Sequence, residues 1–302
     1  MNTSNTQNEY AYFLSFSSFI GTFFFLGVYL ELLRTLWLSL LLAGILVWIV
    51  LTLLLRLSRK TPSFPLKTSF VRRPLALAAI VYGGFSLCGF FFFCQQCIFP
   101  SQSFWFFPVC FLGITTLGGL GRIHTLERTA KFTTAIIGIL LLLTAISMVQ
   151  KLWSETAFLK ATWMDLFRFD SRYFLLETGF VFVILLVQAL ILILVLEQPK
   201  EITFFLCSIR KALIPSVLCS SLLHLIAVLV LGTHTFEHLT WPIYDMLSLP
   251  GYAEYLDRTE LLMLLICLFC ESVKTIAFFR AGRGLFAPSV KRLPQKDEIH
   301  TA

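Results

Sequence analysis

Residues 173–196 decide the fold, and they read YFLLETGFVFVILLVQALILILVL with Glu177 as their one charged side chain. A helix of about 20 apolar residues crosses the roughly 30 Å hydrocarbon core of a bilayer. A membrane β-strand would be about ten residues long and would alternate between polar and apolar side chains. This run does not alternate, so it predicts a transmembrane helix.

Seven further apolar runs flank this one, and each is long enough to cross a bilayer. They are 10–30, 35–55, 74–99, 104–121, 132–150, 212–232 and 259–279. In lipid, backbone polar groups must bond to one another, and a helix satisfies them internally. We therefore predict an all-α polytopic membrane protein with about eight transmembrane helices. Residues 1–280 form one transmembrane domain, and 281–302 form a basic cytoplasmic tail that we expect to be disordered.

The composition supports lipid as the solvent. Of the 302 residues, 57% are hydrophobic and 14% are charged, whereas about 25% are charged in a soluble domain. The net charge of +7 comes from basic residues in short loops between the runs, which argues against a nucleic-acid partner. Lys and Arg are concentrated in the loops on the side of the N-terminus, which predicts that both termini are cytoplasmic. No Lys or Arg precedes the first run, so we interpret it as a retained helix and not a cleaved signal peptide.

Two C-x-x-C pairs, Cys94 with Cys97 and Cys267 with Cys270, lie in apolar helical stretches. Zinc and redox sites need a loop and a polar surround, so we interpret these cysteines as small core residues. The sequence also contains no phosphate-binding loop, nucleophile elbow or zinc-protease motif. We therefore predict no metal, no cofactor and no enzymatic activity.

Ionisable groups at membrane depth are functional candidates by default. Glu271 and Lys274 share a helix face in the last run and can pair. Lys274 is then either an internal cation that stands where a coupling ion would bind, or half of a structural pair that reaches the inner helix end. Glu177, near the outer end of the sixth run, either faces a vestibule or substrate amine, or lies among the headgroups. Gln188 and His224 lie deeper, and we expect them to bond to neighbouring helices.

Gly21 and Thr22 interrupt the first run. Some transporters unwind a helix at such a point and free backbone groups for a substrate. Glycine is also common where two helices pack closely. From the residues alone, packing is favoured over unwinding.

Four stretches resemble the permease-like B subunit of bacterial spore germinant receptors, within the amino acid/polyamine/organocation superfamily. Residues 239–279 carry a Pro followed by an acidic residue, then an acidic–Arg–x–acidic pattern and an embedded Lys. The matching positions are Pro242, Asp245, Asp257, Arg258, Glu260 and Lys274. Residues 36–62 resemble the second helix of the family, which opens at Trp37 and ends in a basic stretch before Pro62. GRIHTLERTAKF (121–132) and 212–232 are similar to the segments around two further helices.

The resemblance implies a subunit that senses a small, amino-acid-like nutrient in the bacterial cell membrane or spore inner membrane. Its partners would be the A subunit and the C subunit, a lipoprotein. By analogy, the nutrient would contact Gly21 and Thr22 on the first helix and Glu177, Thr178 and Gly179 on the sixth. Lys274 would stand in for a bound cation against the first helix.

The sequence departs from the family in three places. Thr259 stands where the family has an apolar residue, between Arg258 and Glu260. The family has about ten helices in two inverted halves, whereas this chain stops after the equivalent of the eighth. The family signature in the first helix is Gly-Thr-Gly followed by Pro, whereas this chain has Gly21-Thr22-Phe23 and lacks the Pro. Two alternatives therefore stay open: an amino-acid transporter of the same superfamily, and a scaffold subunit that does not transport.

Overall fold

The computed structural model describes residues 3–26, 35–60, 69–97, 123–154, 171–195, 202–248 and 260–283. Within these ranges the chain is helical, and no strand occurs. The helices are α1 (Thr3–Leu26), α2 (Leu36–Lys60), α3 (Ser69–Cys97), α4 (Ile123–Ser154), α5 (Ser171–Val195), α6 (Ile202–Leu231), α7 (Thr233–His238), α8 (Pro242–Ser248) and α9 (Glu260–Arg283).

Six of the described helices are long and apolar enough to cross a membrane. The candidate spans are Leu36–Ser58, Arg73–Cys97, Arg128–Ser147, Ser171–Val195, Thr203–Leu231 and Leu261–Gly282. The chain is therefore an all-helical, polytopic membrane protein. Residues 10–26 of the first predicted run lie in the 24-residue helix α1, which is not among the six candidate spans. The fourth run, 104–121, lies outside the described residues.

Each of the seven long helices among the described residues extends beyond its predicted apolar run at one end or both, as α6 and α9 illustrate. Helix α6 begins at Ile202 and not at residue 212, and it continues through Pro215. Arg210 and Lys211 directly precede the apolar run, so the sequence placed the start of the helix after them. Long basic side chains can nevertheless reach the membrane surface from a helix end. Helix α9 ends at Arg283, so 281–283 belong to the helix and not to the predicted tail. The remainder of that tail lies outside the described residues.

Helix α1 lies inside the bundle, where it contacts α4, α6 and α9. Helix α9 also contacts α3, α4 and α5, and α2 packs along α6 and α5. Large apolar side chains point outward, among them Leu176 (71% exposed) and Phe132 (69% exposed). An outer surface of this kind suits lipid and not water. Polar side chains that are buried against α1 and α9 therefore lie in the interior of the bundle.

Candidate functional site

A buried ion pair lies in the middle of α9. The Lys274 ammonium donates a hydrogen bond to Oε1 of Glu271, one helical turn away. Both side chains are buried, with 1% and 0% of their surface exposed. The predicted pairing is therefore present in the structure. Snorkelling does not describe Lys274, since its side chain is enclosed by protein.

Helix α3 completes the surroundings of the carboxylate. The Ser86 hydroxyl donates to Oε2 of Glu271 at 2.9 Å, so each carboxylate oxygen accepts a hydrogen bond. A charge in a low-dielectric interior is strongly destabilising unless its polar atoms are bonded. Ser86 therefore lowers the free-energy penalty of keeping Glu271 ionised.

Helix α1 approaches this pair at Gly21. A Cβ atom at Gly21 would lie 2.9 Å from Cβ of Cys270 and 3.2 Å from Oε1 of Glu271. Only a residue without a side chain permits this approach. Helix α1 is continuous through Gly21 and Thr22, so close packing, and not helix unwinding, explains the glycine here.

Thr22 and Tyr82 link α1 to α3 beside the ion pair. The Thr22 hydroxyl donates to the Ser18 carbonyl at 3.1 Å, one turn back in the same helix. It also accepts a hydrogen bond from the Tyr82 hydroxyl at 3.2 Å. We call the resulting group the polar cluster; it consists of Gly21, Thr22, Tyr82, Ser86, Glu271 and Lys274.

Sequence reasoning did not single out Tyr82 or Ser86. They lie four residues apart in α3, so they share one face of that helix. Neither is ionisable at membrane depth, and a lone hydroxyl in an apolar run is a weak signal. The signal that existed is the spacing, which places two hydroxyls on the face that packs against α9.

Glu177 forms a second buried polar group, at the beginning of α2 and α5. Its Oε2 accepts a hydrogen bond from the Thr35 hydroxyl at 2.5 Å, and the side chain is 4% exposed. Among the described residues, neither its Oε1 nor the buried hydroxyl of Thr178 has a hydrogen-bond partner. The side chain of Glu177 is therefore enclosed by protein.

The residues that the resemblance implies as nutrient contacts lie in separate places in the structure. Gly21 and Thr22 lie in the polar cluster, whereas Glu177 bonds to Thr35. Within the described residues, no hydrogen bond joins the two groups. Gly179 is exposed, and a Cβ there would meet nothing within 4 Å, so it faces away from both.

Two deep polar residues bond differently from the prediction. The ring of His224 bonds through Nδ1 to the Ser220 carbonyl at 2.8 Å, within its own helix α6. The side chain of Gln188 is fully buried, and neither amide atom has a partner among the described residues. Within the part of the chain that the structure describes, neither residue has a hydrogen bond to a neighbouring helix.

The family-motif residues lie mainly at the ends of helices. The Trp37 carbonyl accepts from Ser221 at 2.5 Å, Pro242 begins α8 and Glu260 begins α9. Pro62, Asp257 and Arg258 lie outside the described residues.

Asp245 is the motif residue whose ionisation the structure perturbs. It lies in the first turn of α8, outside the candidate spans. Burial raises the pKa of its carboxyl above the ordinary value of 3.8, and a backbone hydrogen bond from Trp241 opposes this in part. The side chain therefore holds its proton to a higher pH than an exposed aspartate does.

The cysteines of both C-x-x-C pairs carry free thiols. Cys94, Cys267 and Cys270 are buried, and Cys97 is half-buried. Among the residues that the structure describes, no group of three or more His, Cys, Asp or Glu side chains could hold a metal ion. Cys94, Cys267 and Cys270 lie in the hydrophobic core and Cys97 packs against it, which confirms that they are core residues.

No family model, no curated protein and no solved structure matches this chain.

Proposed function

We propose that the chain is a permease-like membrane subunit of a spore germinant receptor, and that it binds a small amino-acid-like nutrient at the polar cluster. The observation that carries the proposal is the buried Glu271–Lys274 pair packed against Gly21 of α1. The resemblance of the sequence implies the same arrangement, an embedded Lys against the first helix.

The physical argument starts from the free energy of a buried ion pair. Replacing such a pair by apolar residues is often neutral or stabilising, so its presence in the membrane calls for a role other than stability. A free amino acid carries one ammonium and one carboxylate. It matches the pair charge for charge, since its ammonium can bind Glu271 and its carboxylate can bind Lys274. The hydroxyls of Tyr82 and Ser86 offer further hydrogen bonds on the α3 side.

Nutrient entry would disturb the contact between α1 and α9. At Gly21 the two helices are so close that there is no room for a methyl group, and Phe23, two residues along, is 1% exposed. A ligand between the two charges therefore has to move α1 relative to α9. Such a movement is what a receptor subunit would pass to its A and C (lipoprotein) partner subunits. A transporter would go further and rock one bundle against the other.

The Lys and Arg bias supports both termini in the cytoplasm. We place the chain in the bacterial cell membrane or the spore inner membrane, in keeping with the proposed function.

Ligand binding to the purified chain in lipid nanodiscs tests the proposal. A ligand that binds only the folded state raises the apparent stability, so thermal shifts are measured with each common amino acid. We expect a saturable shift with at least one of them. The shift should be lost in Lys274→Met and reduced in Tyr82→Phe, which leaves the ion pair in place.

Lys131→Met is the matched control. Lys131 also pairs with a glutamate, Glu9, but at 3.5 Å and with both side chains 56% exposed, so the shift should be unchanged. A folded wild-type protein that responds to no amino acid would contradict the proposal and favour a scaffold. Accumulation of the same amino acid inside proteoliposomes would instead favour a transporter.

A further inference from the structure

An apolar groove runs along the outside of the bundle between residues 41–48 of α2 and 213–218 of α6. Its volume is about 330 Å³, and all the side chains that line it are apolar. Ile45 and Leu218 on its rims are 56% and 55% exposed, so the groove opens toward the membrane.

The floor of this α2–α6 groove depends on one glycine. A Cβ at Gly44 would lie 2.7 Å from Cγ1 of Val217, so the Val217 side chain packs directly on the backbone of α2. The larger side chains on either side then form the walls. The result is a groove that is open on one side and lined by apolar side chains.

A cation is fixed at one end of the groove. The Arg210 guanidinium lies over the ring of Trp48, 5.5 Å from its centroid, and its NH1 donates to the Thr52 hydroxyl at 3.3 Å. Trp48 is itself part of the groove wall. No carboxylate pairs with Arg210 among the described residues.

Two more cations lie at the same end. Helices α2 and α6 are antiparallel, because Trp37 meets Ser221 and Thr52 meets Arg210. Arg56 follows Thr52 by four residues in α2, and Lys211 precedes groove residue 214 by three in α6; both are exposed. Spacings of three and four keep these side chains on the groove side of each helix.

The distances match one leaflet of a bilayer. Arg210 and Leu218 are eight residues apart in α6, which is about 12 Å along the helix. Half of the hydrocarbon core is about 15 Å thick. A lipid whose phosphate lies at Arg210 therefore places its acyl chain along the groove.

We propose that the α2–α6 groove binds an anionic phospholipid, with its phosphate against Arg210, Arg56 and Lys211 and one acyl chain between α2 and α6. Arginine recognises phosphate through paired N–H donors, and the stacking on Trp48 holds the guanidinium in place before the lipid arrives. The proposal does not depend on the nutrient-binding function.

Native mass spectrometry of the full chain, released from micelles with added lipid, tests this site. The probes are dioleoyl-phosphatidylglycerol and dioleoyl-phosphatidylcholine, which have the same acyl chains. One cation near a membrane surface changes the affinity for an anionic lipid by about fivefold. We therefore expect tighter one-to-one binding of phosphatidylglycerol, weakened about fivefold by Arg210→Gln, and a smaller effect on phosphatidylcholine, whose choline cation offsets its phosphate.

Two variants separate this site from general surface charge. Arg73→Gln removes an exposed cation from α3 and should leave phosphatidylglycerol binding unchanged. Leu218→Trp fills the groove from an exposed position and should weaken binding of both lipids. Equal binding of the two lipids, or an equal effect of Arg73→Gln, would overturn the proposal. Displacement of the lipid by millimolar inorganic phosphate would overturn it too, because it would indicate an anion site without acyl-chain recognition.

Discussion

Removal of one charge from the Glu271–Lys274 pair should destabilise the protein far more than removal of both. Lys274→Met leaves a carboxylate that is 0% exposed with the Ser86 hydroxyl, at 2.9 Å, as its remaining partner. Breaking a buried ion pair on one side costs about 3–5 kcal/mol. Membrane-insertion scales give about 2.5–3.5 kcal/mol for one charge at the middle of a helix. We therefore expect a loss of about 3 kcal/mol in the free energy of unfolding.

The double variant Glu271→Gln/Lys274→Met removes both charges and keeps the side-chain volumes. Its stability should lie within about 1 kcal/mol of the wild type, or above it. The assay is reversible unfolding of the full chain in mixed micelles by titration with sodium dodecyl sulfate, followed by circular dichroism. Lys131→Met, which breaks the exposed pair with Glu9, is the control and should change stability by about 0–1 kcal/mol.

Two results would refute this reasoning. One is a folded Lys274→Met protein that loses less than about 1 kcal/mol, because the pair would then not be enclosed as described. The other is a double variant as unstable as the single one, because the loss would then come from packing and not from an uncompensated charge.

Four further predictions concern packing and ionisation. Gly21→Ala should destabilise by about 1–3 kcal/mol, since the new methyl meets Cys270 at 2.9 Å in a packed core. Gly179→Ala, which meets nothing within 4 Å, should be neutral or stabilising by up to about 1 kcal/mol in the same unfolding titration. Thr275→Val should leave the unfolding midpoint unchanged or raise it, because the Thr275 hydroxyl is buried and has no partner among the described residues; a clear loss would show that the hydroxyl is bonded. Folding raises the pKa of Asp245, so the folded state binds its proton more tightly than the unfolded state does. The contribution of this residue to the free energy of unfolding therefore falls as pH rises from 3.8 through the folded pKa. An aspartate with a raised pKa titrates roughly between pH 3 and pH 7. Melting temperatures measured over that range should show this fall in the wild type and a smaller fall in Asp245→Asn.

The sequence alone was sufficient for the fold class. Apolar runs of about 20 residues with few charges have one stable arrangement in lipid, because only a helix satisfies its own backbone there. The same reasoning predicted that Glu271 and Lys274 pair, since residues three apart share a helix face. The predicted helix ends were less accurate. Helix α6 begins ten residues before its predicted start, because hydropathy marks the edge of the apolar run and not the end of the hydrogen-bonded helix.

Only the tertiary structure decided what surrounds these residues. The deciding contacts join helices that are far apart in sequence. Gly21 packs against Cys270, Ser86 bonds to Glu271, and Thr35 bonds to Glu177. Periodicity gives the face of a helix on which a residue lies, but it does not give the neighbour that the face meets. Side-chain packing between helices makes that choice, since in lipid no hydrophobic driving force selects one helix pair over another.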